Sequence, residues 1–254
     1  MKKENIFALT KRSALQLWNN PILIAPTLLA ILFVGLGAVL ALGALLATGF
    51  WVSGIEIASP SILWPSMPMI VLASVLLVAV VASIVLAFAY LQAGFLGMIK
   101  ETSHGKKTSL KAINHYGQKF WARYIGLNIL VGLILLAGMV VLASTELFFI
   151  GLFGQLSAGS IITSGILGIL FLMFSALFTL PQNYLILEDL KIMASIKKGY
   201  NTAKKNYWEL VGLLLIFAII SQAVVKAPFI GGLLSFLFGV VEAIAIMNFA
   251  IGRR

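Results

Sequence analysis

Six runs of apolar residues, each long enough to cross a bilayer and each divided from the next by a short polar stretch, constrain this 254-residue chain more than any other feature. A spanning helix needs about 20 residues. The runs are roughly Pro21–Gly49, Met67–Ile99, Arg123–Ala143, Gly159–Leu187, Trp208–Val225 and Phe229–Ile251. Backbone left open in lipid has unsatisfied polar groups, so these runs predict helices. A closed β-barrel would need short alternating segments, which are absent. Apolar residues make up 61% of the chain and charged residues 10%, too little polar surface to cover a soluble fold. The second and fourth runs exceed what a bilayer needs and predict tilt or helical extension into the cytoplasm. The run after Pro21 is too long for a signal-peptide core and no cleavage pattern follows it, so it is expected to be retained as the first span.

The net charge of +10 is explained by topology once the charges are placed. All basic residues except Lys226 fall in four clusters between or beyond the runs. These alternate with loops carrying Glu56 and Glu146 and no basic residue. This one-sided pattern predicts a multi-pass plasma-membrane protein with both termini cytoplasmic, and it removes the case for a nucleic-acid partner. Trp18, Trp121 and Trp208 stand at the cytoplasmic start of odd-numbered spans, with Trp51 and Trp64 in the first outer loop. Those are the depths where indole prefers to sit. The chain has no cysteine, which excludes disulfides, thiolate chemistry and cysteine-held metal.

The chain also repeats itself. Ser195-Ile196-Lys197 echoes Ser109-Leu110-Lys111, Lys205 echoes Lys119, and Tyr207 echoes Trp121. Met193, Ile196, Tyr200, Ala203 and Tyr207 recur at spacings of three and four, with lysines on another face, so Leu190–Tyr207 predicts an interfacial helix. Leu110, Ile113, Tyr116, Phe120 and Tyr124 do the same for Thr108–Trp121. Phe7, Ala14, Leu17 and Trp18 form a weaker third copy. The expected architecture is all-α: a single membrane domain, 1–254, of six transmembrane helices in three parallel hairpin units (about 1–100, 101–188 and 189–254), each opened by an amphipathic interfacial helix. The outer loop Thr145–Ser160 is itself apolar and is expected on the outer interface. Lys226-Ala227-Pro228 makes the outer turn between spans five and six.

Two stretches, Ala93–Leu110 and Leu180–Asn206, carry a family resemblance. The first includes Ala93-Gly94-Phe95-Leu96-Gly97 and Gly105-Lys106-Lys107. The second includes Leu180-Pro181-Gln182-Asn183-Tyr184 and Lys197-Lys198-Gly199-Tyr200. Over roughly residues 90–215 the chain resembles a family of uncharacterised, mostly archaeal six-helix membrane proteins. That family is distantly similar to the membrane domain fused to some bacterial glycerophosphodiester phosphodiesterases. The resemblance implies a standalone membrane domain of unknown activity. The metal-ligating residues of a phosphodiesterase domain are not in this sequence, so no catalytic residue is carried over.

Glu242 is the sharpest polar anomaly, an ionisable residue inside the sixth run. Such residues are costly in lipid and default to a functional hypothesis. It is expected either to be paired with a basic residue near the cytoplasmic boundary or to face a wet cavity as a proton or cation site. Gln92, Asn128, Gln182, Asn183 and Asn248 project from the cytoplasmic halves of the spans, as cavity lining or as interhelical hydrogen bonds. Gly37/Ala41, Gly43/Ala47, Ser164/Gly168 and Gly239/Ala243 have small-xxx-small spacing and predict close packing. His104 and His115, amid lysines, read as solvated. Gly105-Lys106-Lys107-Thr108 lacks the earlier glycine of a phosphate loop and no strand precedes it.

No nucleophile, base and orienting acid fall together in the spans, so no enzyme activity and no cofactor are expected. The leading expectation is a membrane protein that organises lipid or partner subunits. Lys106, Lys107, Lys111, Lys119, Lys191, Lys197, Lys198, Lys204 and Lys205 would meet anionic headgroups. The alternative is a small transporter or permease subunit with a polar site around Glu242.

Overall fold

The computed structural model describes residues 5–53, 63–153, 158–226 and 231–253. In chain order these form α1 (Ile6–Asn19), a single 3-10 turn (Pro21–Ile24), α2 (Ala25–Ser53), α3 (Leu63–Ser103), α4 (Leu110–Phe153) and α5 (Ala158–Ala176). There follow α6 (Pro181–Leu187), α7 (Ile192–Lys205), α8 (Tyr207–Val225) and α9 (Gly231–Gly252). Six stretches are apolar and long enough to cross a membrane: Pro21–Gly43, Ser74–Ser103, Leu110–Thr145, Ile166–Leu187, Tyr207–Val225 and Leu234–Gly252. With no strand among the described residues, the chain is an all-α polytopic membrane protein.

The breaks between helices have local causes. Pro21 opens the 3-10 turn because its missing N–H is no loss at a helix start. Gly105 takes φ +75 between α3 and α4, a conformation glycine adopts without a Cβ clash. Asp189 takes φ 53 between α6 and α7, where a short polar side chain is among the few that tolerate it. Asn206 stops α7, its Nδ2 turning back to the Thr202 carbonyl at 3.0 Å.

Four expectations are corrected. The separate interfacial helix over Thr108–Trp121 does not form, because nothing between Trp121 and Arg123 breaks the helix as Asn206 breaks α7. The segment is instead the first three turns of α4. At 1.5 Å per residue α4 is about 66 Å long against a hydrocarbon core of about 30 Å, so its basic start stands beyond the lipid tails. The fourth run is not one helix: it loosens over Leu177–Leu180 and restarts as α6 at Pro181, which cannot donate an intrahelical bond. Most of the supposed outer loop Thr145–Ser160 belongs to α4 and α5. On α1 the buried face is Leu9, Ser13 and Leu17, whereas Phe7 and Trp18 of the expected stripe are 72% and 83% exposed. Glu56, Ala227 and Pro228 lie outside the described residues, as do the side chains of Trp51, Trp64 and Glu146.

The core lies at the end of the bundle that carries the basic clusters. There α3, α6 and α9 contact one another pairwise, and Met98, Ile99, Leu185, Ile186, Met247 and Ala250 are fully buried between helices. One polar link joins each pair. Lys100 Nζ donates to the Ile186 carbonyl at 2.8 Å, Tyr184 Oη to the Ala250 carbonyl at 3.2 Å, and Ser103 Oγ to Asn248 Oδ1 at 2.9 Å. Around this trio, α4 packs on α3, α7 on α6 and α1 on α9. Away from the basic end many large side chains stand exposed, among them Val75, Val78, Leu136 and Val140, as lipid-facing residues do in a protein whose solvent is hydrocarbon.

Close approach at the core rests on glycines that the spacing argument did not single out. A Cβ on Gly97 would fall 2.1 Å from the Tyr116 ring, and one on Gly199 would fall 2.6 Å from the Pro181 nitrogen. Of the small-xxx-small positions, Gly37 meets Ile84, while Gly43, Gly168 and Gly239 have nothing within 4 Å.

Candidate functional site

Three of the six polar residues expected near one site, Asn248, Asn128 and Gln182, belong to two separate networks. In the first, Asn248 on α9 is buried between α1 and α3. Its Nδ2 donates to Gln16 Oε1 at 3.0 Å and to Ser13 Oγ at 3.2 Å, while its Oδ1 accepts from Ser103. Gln16 Nε2 continues to Thr102 Oγ1 at 2.6 Å. In the second, Tyr124 Oη donates to Gln182 Oε1 at 3.3 Å, Gln182 Nε2 to Asn128 Oδ1 at 2.5 Å, and Asn128 Nδ2 to the Tyr124 carbonyl at 2.8 Å. This ties α4 to α6. Asn183 Nδ2 reaches the Thr179 carbonyl at 3.4 Å, and its buried Oδ1 has no partner among the described residues. Gln92 is half-buried on α3.

Glu242 joins neither network. It is half-buried on α9 and makes no hydrogen bond or ion pair among the described residues. The basic residue nearest to it along the helix, Arg253, is taken instead by Glu209 of α8 and lies over the Phe249 ring. The expected compensation of Glu242 by a cytoplasmic lysine or arginine is therefore not seen among the described residues.

The basic residues divide by whether a carboxylate already holds them. Lys119 and Arg123 both grip Asp189, at 2.6 and 2.8 Å, and fasten α4 to the joint between α6 and α7. The Asp189 carboxyl is held below the usual carboxylate range by the hydrogen bond from Lys119, then by that from Arg123, against a partial burial acting the other way. Lys198 pairs with Glu188 at 2.6 Å. Of the nine lysines expected to meet headgroups, the other seven, Lys106, Lys107, Lys111, Lys191, Lys197, Lys204 and Lys205, are exposed and form no ion pair among the described residues. Trp18, Trp121 and Trp208 are exposed at the same end.

Sequence reasoning did not find Ser13, Gln16, Lys100, Glu188, Asp189 or Glu209. The signal was present: Ser13 and Gln16 interrupt the apolar face of α1, and Glu188-Asp189 is the one acidic pair in a basic stretch.

Two open clefts lie at the basic end. One, of about 600 Å³, sits at the joint of α7 and α8 and is lined by Tyr200, Lys204, Lys205, Tyr207 and Trp208 with Leu177. The other, of about 430 Å³, lies along α1 and is lined by Lys11, Arg12, Asn19 and Asn20 with Thr102. Glu242 lines neither. Among the described residues no three His, Asp or Glu side chains gather as a metal site would require. His104 Nδ1 lies 2.7 Å from the Lys100 carbonyl, and the His115 ring stands edge-on to Tyr116.

No curated protein and no solved structure matches the chain. A family model described as "Domain of unknown function (DUF7847)" matches residues 8–252, nearly the whole chain, and the protein belongs to that family.

Proposed function

We propose that this protein is a non-enzymatic organiser of the plasma membrane, with both termini in the cytoplasm, that gathers anionic lipid and partner subunits through its basic end. The observation carrying this reading is the set of seven exposed lysines that form no ion pair among the described residues, beside three exposed tryptophans. A lysine near an anionic surface contributes about 1 kcal/mol, and indole holds the headgroup depth. The fully buried apolar side chains where α3, α6 and α9 meet favour an organiser over a conduit. In this reading the chain is three parallel units, about 1–100, 101–188 and 189–254. The packing of α1 on α9, α4 on α3 and α7 on α6 supports it, since each unit's opening helix lies on the return helix of another unit. The resemblance to a membrane domain found beside glycerophosphodiester phosphodiesterases belongs to the same proposal.

The test is reconstitution in nanodiscs of equal phosphatidylglycerol and phosphatidylcholine, followed by release of the annular lipid and its quantification. Enrichment of phosphatidylglycerol that falls when all seven lysines become glutamine supports the reading. An annulus matching the bulk composition overturns it. Orientation is tested separately with single cysteines at Ser53 and Lys107. An impermeant thiol reagent on intact cells should label the first and spare the second.

One observation favours a second reading: Glu242 is partly accessible and has no partner among the described residues. A small transporter would use it as a proton or cation site. Proton or cation flux in sealed vesicles that disappears in Glu242→Gln would establish that reading in place of the first.

A further inference from the structure

The basic end is not uniform, and one place on it is shaped for a particular ligand. At the joint of α7 and α8 the chain leaves a short basic helix and enters an apolar span. The cleft there therefore sits where headgroups meet tails. Two lysines of its lining, Lys204 and Lys205, are consecutive at the end of α7, both exposed and without an ion pair among the described residues. The acid on its border, Glu209, is engaged by Arg253, which leaves the local charge positive.

Three aromatic side chains, Tyr200, Tyr207 and Trp208, make up much of the remaining lining, with Leu177 and Asn206. Tyr207 Oη donates to the Met173 carbonyl at 2.9 Å, which anchors its ring, and Trp208 stands at 70° to that ring, 5.4 Å away. Tyr200 rests against Phe178 with centroids 5.9 Å apart. The loosening of the chain after α5 places Leu177 in the same wall. Trp208 itself is 73% exposed. A free anion would gain nothing from Leu177 or from the ring faces of Tyr200 and Trp208. A phospholipid would meet the lysines with its phosphate and the apolar wall with its glycerol and upper acyl chain.

We infer that this cleft is a binding site for a single anionic phospholipid, its phosphate held by Lys204 and Lys205 and its glycerol backbone against Trp208, Tyr200 and Leu177. The inference rests on the reading of the protein as a binder of anionic lipid and assigns that binding to one place.

The experiment titrates the detergent-solubilised full chain with short-chain phosphatidylglycerol, phosphatidylcholine or inorganic phosphate and counts bound molecules by native mass spectrometry. Lys204→Gln/Lys205→Gln should weaken phosphatidylglycerol binding roughly tenfold, while Lys106→Gln/Lys107→Gln, equal in charge removed, should change it by less than about twofold. Trp208→Ala should weaken it with no change of charge, and Lys204→Arg/Lys205→Arg should retain it. Equal losses in the two glutamine pairs, or no loss in either, would overturn the cleft and leave the wider proposal standing. Equal affinity of the wild-type chain for phosphatidylglycerol and phosphatidylcholine would overturn both. Displacement of phosphatidylglycerol by inorganic phosphate at matching concentration would show an anion site and overturn the lipid assignment.

Discussion

Asn248 on α9 holds Gln16 on α1 across 232 positions of sequence, its side-chain amide 3.0 Å from Gln16 Oε1. The same amide reaches Ser13 and accepts from Ser103, so one residue fastens the opening helix and the end of α3 to the last helix. Of the two roles the sequence allows this asparagine, cavity lining or an interhelical hydrogen bond, the fold shows the second.

Removing that clasp leaves Gln16 Oε1 without its donor. An interhelical hydrogen bond in a membrane protein is worth about 0.6 kcal/mol on average, and a buried group left without a partner adds about 1–3 kcal/mol in soluble proteins. Asn248→Leu is therefore expected to lower stability by about 1–3 kcal/mol. Gln16→Leu/Asn248→Leu should recover part of the loss. Unfolding in mixed micelles read by circular dichroism checks both, and equal stability of Asn248→Leu and wild type would remove the clasp from the account.

Asp189 carries a pH-dependent tie. Its carboxyl is held below the ordinary range, first by Lys119 and then by Arg123. A folded-state value below the unfolded one means the stabilisation is complete at neutral pH. It disappears as pH falls from the unfolded value, about 3.9, through the folded one. The pair is 43% and 44% exposed, so solvent screening limits it to under about 1 kcal/mol. Asp189→Asn keeps a side chain that tolerates φ 53 while removing the charge and one of the two acceptor oxygens. The gap between it and wild type should be open at pH 7 and narrow as pH falls below about 3.9. A gap of constant size would assign the effect to the backbone turn instead.

Gly199 is expected to be intolerant of even one methyl. The added Cβ would lie 2.6 Å from the Pro181 nitrogen and 2.7 Å from its Cδ, and neither can swing aside as a flexible side chain could. Gly199→Ala should force α7 off α6 and cost about 1–3 kcal/mol, as overpacking does. Gly43→Ala, with nothing within 4 Å, should be neutral or slightly stabilising through helix propensity. Thermal melts of the two variants side by side decide it.

These particulars show what was legible in the sequence. Long apolar runs and one-sided lysines announce six spanning helices because lipid imposes length and composition on every span. Partner choice is not imposed that way. Nothing in Asn248 itself says whether it faces a cavity or Gln16, since both are polar surroundings. Helix ends were legible only where a breaker was visible. Pro181 is plain in the sequence, yet the break at it is not, because hydropathy does not change across it. The close contacts at Gly97 and Gly199 were missed because small-xxx-small spacing is frequent in apolar helices. The decisive feature was instead a bulky ring on the facing helix, Tyr116 or Pro181, which one sequence does not pair with its glycine.

Glu242 separates the two functional readings most directly. It is half-buried on α9 with no partner among the described residues, and Met98, Ile186 and Met247 are fully buried where α3, α6 and α9 meet. In the organiser reading, a lone carboxylate in such a place is a cost, since a charged group in a span is unfavourable by about 2.5–3.5 kcal/mol on insertion scales. Glu242→Gln should then be neutral or stabilising, with phosphatidylglycerol enrichment in nanodiscs unchanged. In the transporter reading the same substitution leaves the fold intact and abolishes proton- or cation-coupled flux in sealed vesicles. Measuring stability, lipid enrichment and flux on one preparation of Glu242→Gln distinguishes them. A variant that is more stable, keeps its lipid and shows the same flux as empty vesicles, as wild type does, would leave the basic end as the working part of the molecule.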